Sequence, residues 1–276
     1  MFDFCPWSLP SFTRLRTPQG RGAAAAALLL AAAAWTLGPS SAGAAEIKVL
    51  TSGAFKPVVM ELSARLTQAT GTTVKVENDT AGALARRVEA GETFDVLILT
   101  PGALADLQKT GRVASGPVAP LAKVGIGVAV KAGAAKPDIS SVAAFKAALL
   151  SARKVAMIDP AAGGSSGIYL TRLFETMGIA DAVKAKAILV PGGLVATRVV
   201  SGEADIAIHQ ISEILAVKGA ELVGPLPSEI QNFTVYAGVL SPGPTPPPAA
   251  AAFLAVLAGP EAIPVLAAKG MSPAGP

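Results

Sequence analysis

The 276-residue chain contains one cysteine and one histidine, and only 15% of its residues are charged and 5% aromatic. The lone Cys5 excludes an internal disulfide and a thiolate metal cage, and the lone His209 excludes a metal site built on several imidazoles. So little charge is unlike a disordered chain, which is polar and charge-rich. Long hydrophobic runs are missing too: the longest, Ala23–Trp35, has 13 residues, well short of the roughly 20 that cross a bilayer as a helix. Walker A spacing, a dinucleotide fingerprint and a G-x-S-x-G nucleophile elbow are all absent, so no nucleotide and no cofactor is expected.

What is abundant is small and apolar. Hydrophobic residues make up 51% of the chain, and 56 residues are alanine. Part of that excess is a leader: Arg14, Arg16 and Arg21 form a positive region, Ala23–Trp35 an apolar one, and Ala42-Gly43-Ala44 a small-x-small processing site. The expectation is a Sec-type signal peptide over residues 1–44 and a periplasmic mature protein. Leu15 separates Arg14 from Arg16, so the twin-arginine signal is absent, and Cys5 precedes the apolar run, which excludes a lipid-anchored cysteine. Asp3 and the three arginines hold a net +2 of the chain's +4, leaving +2 on the mature chain. Nucleic acid needs no place among its partners, and no stable membrane insertion is expected.

The mature chain of about 232 residues alternates strand-like and helical segments. Strands are expected at Ile47–Thr51, Thr73–Glu77, Val96–Thr100, Val124–Val130, Lys154–Ile158, Ala187–Val190 and Asp205–Ile208. Helices are expected at Lys56–Thr70, Ala83–Ala90, Ile168–Met177 and Leu194–Ser201. This order implies an α/β architecture of parallel sheets covered by helices on both faces. Gly71, Gly91, Gly102, Gly111, Gly178 and Gly202 mostly fall where helices should end. Ser241–Pro248 reads as an extended connection, and Ala249–Lys269 as terminal helices broken near Gly259-Pro260.

Four segments join a strand end, through small residues, to an expected helix start: Thr51–Lys56, Asp79–Ala83, Gly163–Gly167 and Pro191–Leu194. Backbone N–H groups at such ends, with serine or threonine hydroxyls beside them, suit an anion, and ligands of open α/β sheets bind at the carboxyl ends of strands. The residues expected to hold a ligand are Ser52, Gly53, Ala54 and Lys56 in the first segment and Thr80, Ala81 and Gly82 in the second. The third and fourth contribute Ser165, Ser166, Gly192 and Gly193, and the end of a later strand His209 and Gln210. Were the protein an enzyme, His209, Lys56 and Glu213 are the groups able to move a proton.

Ile47–Pro57 resembles the first strand and helix of periplasmic molybdate-binding-protein-like solute receptors. Ala83–Gly91 with Phe94–Ile98, Asp159-Pro160 leading to Ser166–Tyr169, Val199–Asp205, and Gly259–Ala262 with Lys269-Gly270 extend the resemblance over nearly all of the mature chain. It implies a type II periplasmic binding protein, two α/β lobes with a two-stranded hinge, closing on a small anionic ligand and delivering it as a monomer to an ABC permease. Lobe I is expected over 45–123 and, in return, over 232–276, lobe II over 124–231, with hinge crossings near Val124–Val130 and Phe233–Val239.

Molybdate receptors resemble one another in serines on the first two loops and a tyrosine on a later strand. This chain has Ala54, Thr80-Ala81-Gly82 and Gln210 there, and Lys56, His209 and Gln210 suggest a larger, planar carboxylate. Proteins of this superfamily include aconitate isomerases, which move a proton across an allylic tricarboxylate. The reading is therefore a periplasmic receptor of an ABC uptake system for an oxyanion or carboxylate, with an isomerase on the same fold as the alternative. The effector domain of a transcription regulator shares the fold, but the leader and the lack of a helix-turn-helix segment argue against it.

Overall fold

A computed structural model describes residues 45–275, and the expected leader and Cys5 lie outside the described residues. The strands are β1 Glu46–Ser52, β2 Thr73–Asp79, β3 Val96–Leu99, β4 Ala119–Lys131, β5 Val155–Ile158, β6 Ala187–Val190, β7 Ile206–Gln210, β8 Ala220–Pro225, β9 Phe233–Leu240 and β10 Ser272–Pro273. The helices are α1 Lys56–Thr70, α2 Ala81–Glu89, α3 Pro101–Lys109, α4 Val142–Ser151, α5 Ser165–Thr176, α6 Ala180–Lys184, α7 Thr197–Val200, α8 Ile211–Leu215, α9 Pro248–Ala258 and α10 Ala262–Ala268.

The strands run β2-β1-β3-β9-β4-β7-β5-β6, with β8 and β10 also paired to β4. The pairs among β1, β2 and β3 and among β5, β6 and β7 are parallel. Those made by β9, β4, β8 and β10 are antiparallel, so the sheets are mixed rather than wholly parallel. The long β4 changes partners midway: Ala119–Gly125 pairs with β9, and Ile126–Lys131 with β7 and β8. At the change the Gln231 side chain stands in for a strand, its Oε1 accepting the Ile126 N–H and its Nε2 donating to the Ile126 carbonyl, both at 2.9 Å.

Successive strand residues point to opposite faces, and here both faces are buried. Val49, Val96 and Ile98 pack under α1, α9 and α10 with Leu62, Phe253 and Leu257, whereas Leu50, Leu97 and Leu99 pack under α2 and α3 with Leu84 and Leu104. In the second sheet Ile126, Val128, Met157 and Ile208 meet Phe145, Leu170 and Phe174, while Ala129, Ala156 and Ala207 meet Val195, Val199 and Ile214. These strands read as continuous apolar runs because neither face meets water. No single described helix is long and apolar enough to cross a membrane.

Local chemistry sets the boundaries. Pro57 opens the first turn of α1 and Gly71, at φ 74°, ends it. Thr80, Thr100 and Ser141 cap α2, α3 and α4 by accepting N–H groups three residues on. Gly102 lies inside α3 rather than at a helix end. The helix expected at Leu194–Ser201 is confined to Thr197–Val200, so Pro191–Leu194 is a turn with no helix start directly after it. The strand expected to stop at Ile208 runs to Gln210.

Beside β1 and β2, Arg87 bonds Glu77 at 2.6 Å and Glu92 at 2.5 Å, and Lys48 bonds Glu92 at 2.9 Å. Arg87 and then Lys48 hold the Glu92 carboxyl down to about 2. A partly exposed network of this kind is worth little per pair. Arg87→Ala is expected to cost about 1 kcal/mol of stability in low salt, shrinking in high salt, as measured by urea unfolding.

Candidate functional site

The parallel strands deliver their carboxyl ends to one narrow cleft with a cavity volume of about 30 Å³. β1 supplies Ser52 and the turn Gly53-Ala54, β2 supplies Asn78 and Asp79, and Thr80 and Ala81 follow. From the other side come Ile158 of β5, Gly164, Ser165 and Ser166 at the start of α5, and Gly193 after β6. β7 contributes His209 and Gln210, α8 contributes Glu213, and β9 contributes Tyr236.

The Gly163–Gly167 run has a separate reason for each glycine. Gly163 adopts φ +81° and abuts Gly82. A Cβ on Gly164 would stand 2.6 Å from the Ile158 side chain, and one on Gly167 would stand 2.3 Å from the Ile158 carbonyl oxygen. Both positions must lack a side chain for α5 to begin against the end of β5. That start has no side-chain cap, so N–H groups of the first turn are left for a ligand or water, at the positive end of the helix dipole.

The hydroxyls are more committed than the sequence suggests. Thr80 Oγ1 donates to the Ala162 carbonyl while accepting the Ala83 N–H, and Ser52 Oγ donates to the Ile98 carbonyl. Gln210 Nε2 donates to Thr234 at 2.7 Å and to Ser165 at 3.3 Å, and its buried Oε1 has no partner among the described residues.

His209 and Glu213 form the buried titratable pair, 3% and 7% exposed, with Nε2 and Oε2 3.3 Å apart. Desolvation penalises both charged forms, lowering the imidazole to about 3 and raising the carboxyl to about 8. A neutral pair and an ion pair differ only in where one proton sits; burial favours the neutral arrangement. His209 Nδ1 is buried without a partner among the described residues. Tyr236 is buried against Phe55, its phenol pushed up by burial and then by the nearby Glu213. The Glu213 carboxyl fits because residue 53 is glycine: a Cβ there would stand 2.6 Å from Oε1.

Of the residues expected from sequence, Ser52, Gly53, Ala54, Thr80, Ala81, Ser165, Ser166, Gly193, His209, Gln210 and Glu213 line this cleft. Lys56, Gly82 and Gly192 do not line it: Lys56 opens a neighbouring chamber, and Gly82 is spent on the contact with Gly163. Asp79 and Gly164 line it from within two of the four segments, and Asn78, Ile158 and Tyr236 line it from outside them. Asn78 escapes the sequence pattern because β2 runs two residues beyond Glu77, and Tyr236 because its strand carries only a hinge signal. Neither lysine nor arginine lines the cleft, while Asp79 and Glu213 do.

Residues 47–272 match the family described as bacterial extracellular solute-binding protein. An aconitate isomerase of Pseudomonas sp is 35% identical over 233 residues, covering 82% of this chain and 87% of that protein. Among solved structures, the periplasmic molybdate-binding protein of Azotobacter vinelandii superposes with a TM-score of 0.65 at 19% identity, covering 82% of this chain and 98% of that one. The sulfate-binding protein SubI of Mycobacterium tuberculosis gives 0.66 at 18% identity, covering 84% and 88%. The chain belongs to the bacterial extracellular solute-binding protein family and has the type II periplasmic binding fold.

Proposed function

We propose that the cleft binds an unsaturated tricarboxylate and moves a proton on it, interconverting cis- and trans-aconitate. The observation that carries this reading is the buried His209–Glu213 pair lining an anion cleft. In a receptor for a tetrahedral oxyanion, a carboxyl group lining the cleft repels the ligand whenever it ionises. In a proton-transfer site, the raised proton affinity of Glu213 makes its carboxylate a stronger base at neutral pH. The identity to an aconitate isomerase along most of both chains supports the same reading.

In the proposed step the Glu213 carboxylate takes a proton from the methylene of bound cis-aconitate. The C–H electron pair delocalises over the three-carbon allylic system into the adjoining carboxylates. The same proton, or one exchanged from solvent, returns to the former vinylic carbon as the double bond shifts. No oxidant, reductant or second substrate is needed. N–H groups at the start of α5 hold carboxylate oxygens and stabilise charge that grows in the transition state. His209, uncharged, shares the Glu213 proton.

The lobes of this reading are residues 45–123 with 232–276, and residues 124–231, closing about the change of partners in β4. The separation of the hydrophobic clusters on the two sides of Gly125–Ile126 supports that division. Export by the leader to the periplasm and a monomeric state are part of the proposal. A second reading, a receptor handing an oxyanion or carboxylate to an ABC permease, is favoured by the family match and by the uncapped start of α5.

Thermal shift against molybdate, tungstate, sulfate, citrate and the two aconitates sorts carboxylates from tetrahedral oxyanions through ligand-linked stabilisation, and turnover of aconitate separates the isomerase from a carboxylate receptor. Stabilisation by the aconitates and citrate, with none by the tetrahedral oxyanions, is expected. Stabilisation by an oxyanion alone favours the receptor.

A further inference from the structure

Next to the cleft lies a second, wider chamber with a cavity volume of about 410 Å³. The two share Gly53, Asn78, Gly193 and Glu213 as lining residues, so the Glu213 side chain stands on the wall between them. The chamber's own contributions include the apolar side chains of Met60 and Leu194, with Lys56 as its cation.

Two facts make that lysine unusual. No lysine or arginine lines the cleft itself, whereas Asp79 and Glu213 do, so a bound polyanion finds only backbone and neutral donors there. Lys56, half-buried in the first turn of α1, makes no ion pair or side-chain hydrogen bond among the described residues. Most of the other partly buried lysines have partners: Lys48 holds Glu92, Lys146 the Met177 carbonyl, and Lys186 the carbonyls of Leu150 and Ala152. An ammonium beside an apolar wall, without a counter-ion, binds a carboxylate more strongly than a fully solvated one does.

We infer that Lys56 is the specificity-determining residue for a third carboxylate, which reaches from the cleft past Gly193 into the outer chamber. The inference rests on the proposed tricarboxylate reading. The Glu213 carboxyl fills the space in front of Gly53, whereas the space beside Gly193 is open, so the third arm passes on the Gly193 side and leaves two carboxylates to the backbone donors of the cleft. Lys56 thereby selects tricarboxylates over dicarboxylates and over tetrahedral oxyanions, which are too short to span both chambers.

The test is calorimetric titration of the purified protein, produced from the full chain, with tricarballylate and with glutarate. These acids share a three-carbon backbone and differ by one carboxylate. Wild type should prefer tricarballylate, and Lys56→Gln should weaken that acid about tenfold, the worth of one charge-assisted hydrogen bond, while leaving glutarate unchanged. Lys56→Arg should keep the preference. In turnover of cis-aconitate, Lys56→Gln should raise KM about tenfold with kcat nearly constant, the signature of a binding contact made equally in ground and transition states. Equal losses for both acids, or none, overturn the role of Lys56 while aconitate turnover leaves the proposed function standing. A wild-type protein that binds neither acid overturns both.

Discussion

Glu213→Gln is expected to lower aconitate turnover by about 10²- to 10⁴-fold, the usual contribution of a positioned general base, with little loss of folding stability. Glutamine keeps the shape that lies against Gly53 but cannot accept a proton. With the wild-type carboxyl raised to about 8, kcat/KM should climb as pH rises through that region, and the glutamine variant should lose the climb along with the rate. A pH–rate profile of both proteins checks this; a variant with wild-type turnover removes Glu213 from the chemistry.

Stability carries a second signature of the pair, whose sign follows from proton counts. In the unfolded chain the carboxyl and imidazole have their ordinary values of 4.5 and 6.5, and in the folded protein about 8 and about 3. Between pH 4.5 and 6.5 both states hold one proton on the pair, so its contribution is flat. From 6.5 to about 8 the folded state keeps a proton that the unfolded state has lost, and stability falls as pH rises. Below 4.5 the unfolded state binds a second proton and stability falls as pH drops. The alkaline fall amounts to about 2 kcal/mol and should be absent in Glu213→Gln, as read by melts across the pH range.

Gly82→Ala is expected to weaken ligand binding by about ten- to a hundredfold and to cost about 1–3 kcal/mol of stability in the ligand-free protein. Gly82 N–H donates to the Gly163 carbonyl at 3.2 Å, and Thr80 and Arg86 donate to the Ala162 carbonyl beside it. A Cβ on residue 82 would stand 2.8 Å from the Gly163 Cα and 3.3 Å from its carbonyl oxygen. Both are backbone atoms, so no rotamer change relieves the overlap, and the two loops must separate at the mouth of the cleft. Gly82 sits in the first turn of α2 outside the left-handed region, where alanine favours the helix. Gly163→Ala is a poorer test because φ +81° strains alanine in every state. Unchanged affinity in Gly82→Ala, by titration, would mean that the two loops do not meet when ligand is bound.

Much of the fold is legible in the chain because buried strands such as Val96–Leu99, and β7 over Ile206–Ile208, are apolar on both faces, and glycines such as Gly71 close their helices. What hides is long-range. β8 Ala220–Pro225 is only half-buried and has no clear alternation; it becomes a strand by pairing with β4. The four strand-to-small-residue segments converge on one cleft as expected from their chemistry. Yet the hydrogen bonds that commit Ser52 and Thr80 to carbonyls join residues 46 and 82 positions apart, and the chamber beside Lys56 is closed by the distant Gly193, Leu194 and Glu213. The importance of Glu213 lies in burial beside His209, which spacing four apart suggests but cannot establish.

The most direct measurement is proton NMR of cis-aconitate incubated with the purified protein. The proposed function expects trans-aconitate to accumulate to equilibrium at a rate proportional to protein concentration. Saturable binding of cis-aconitate with no trans-aconitate formed, at protein concentrations comparable to substrate, would contradict it and leave a receptor.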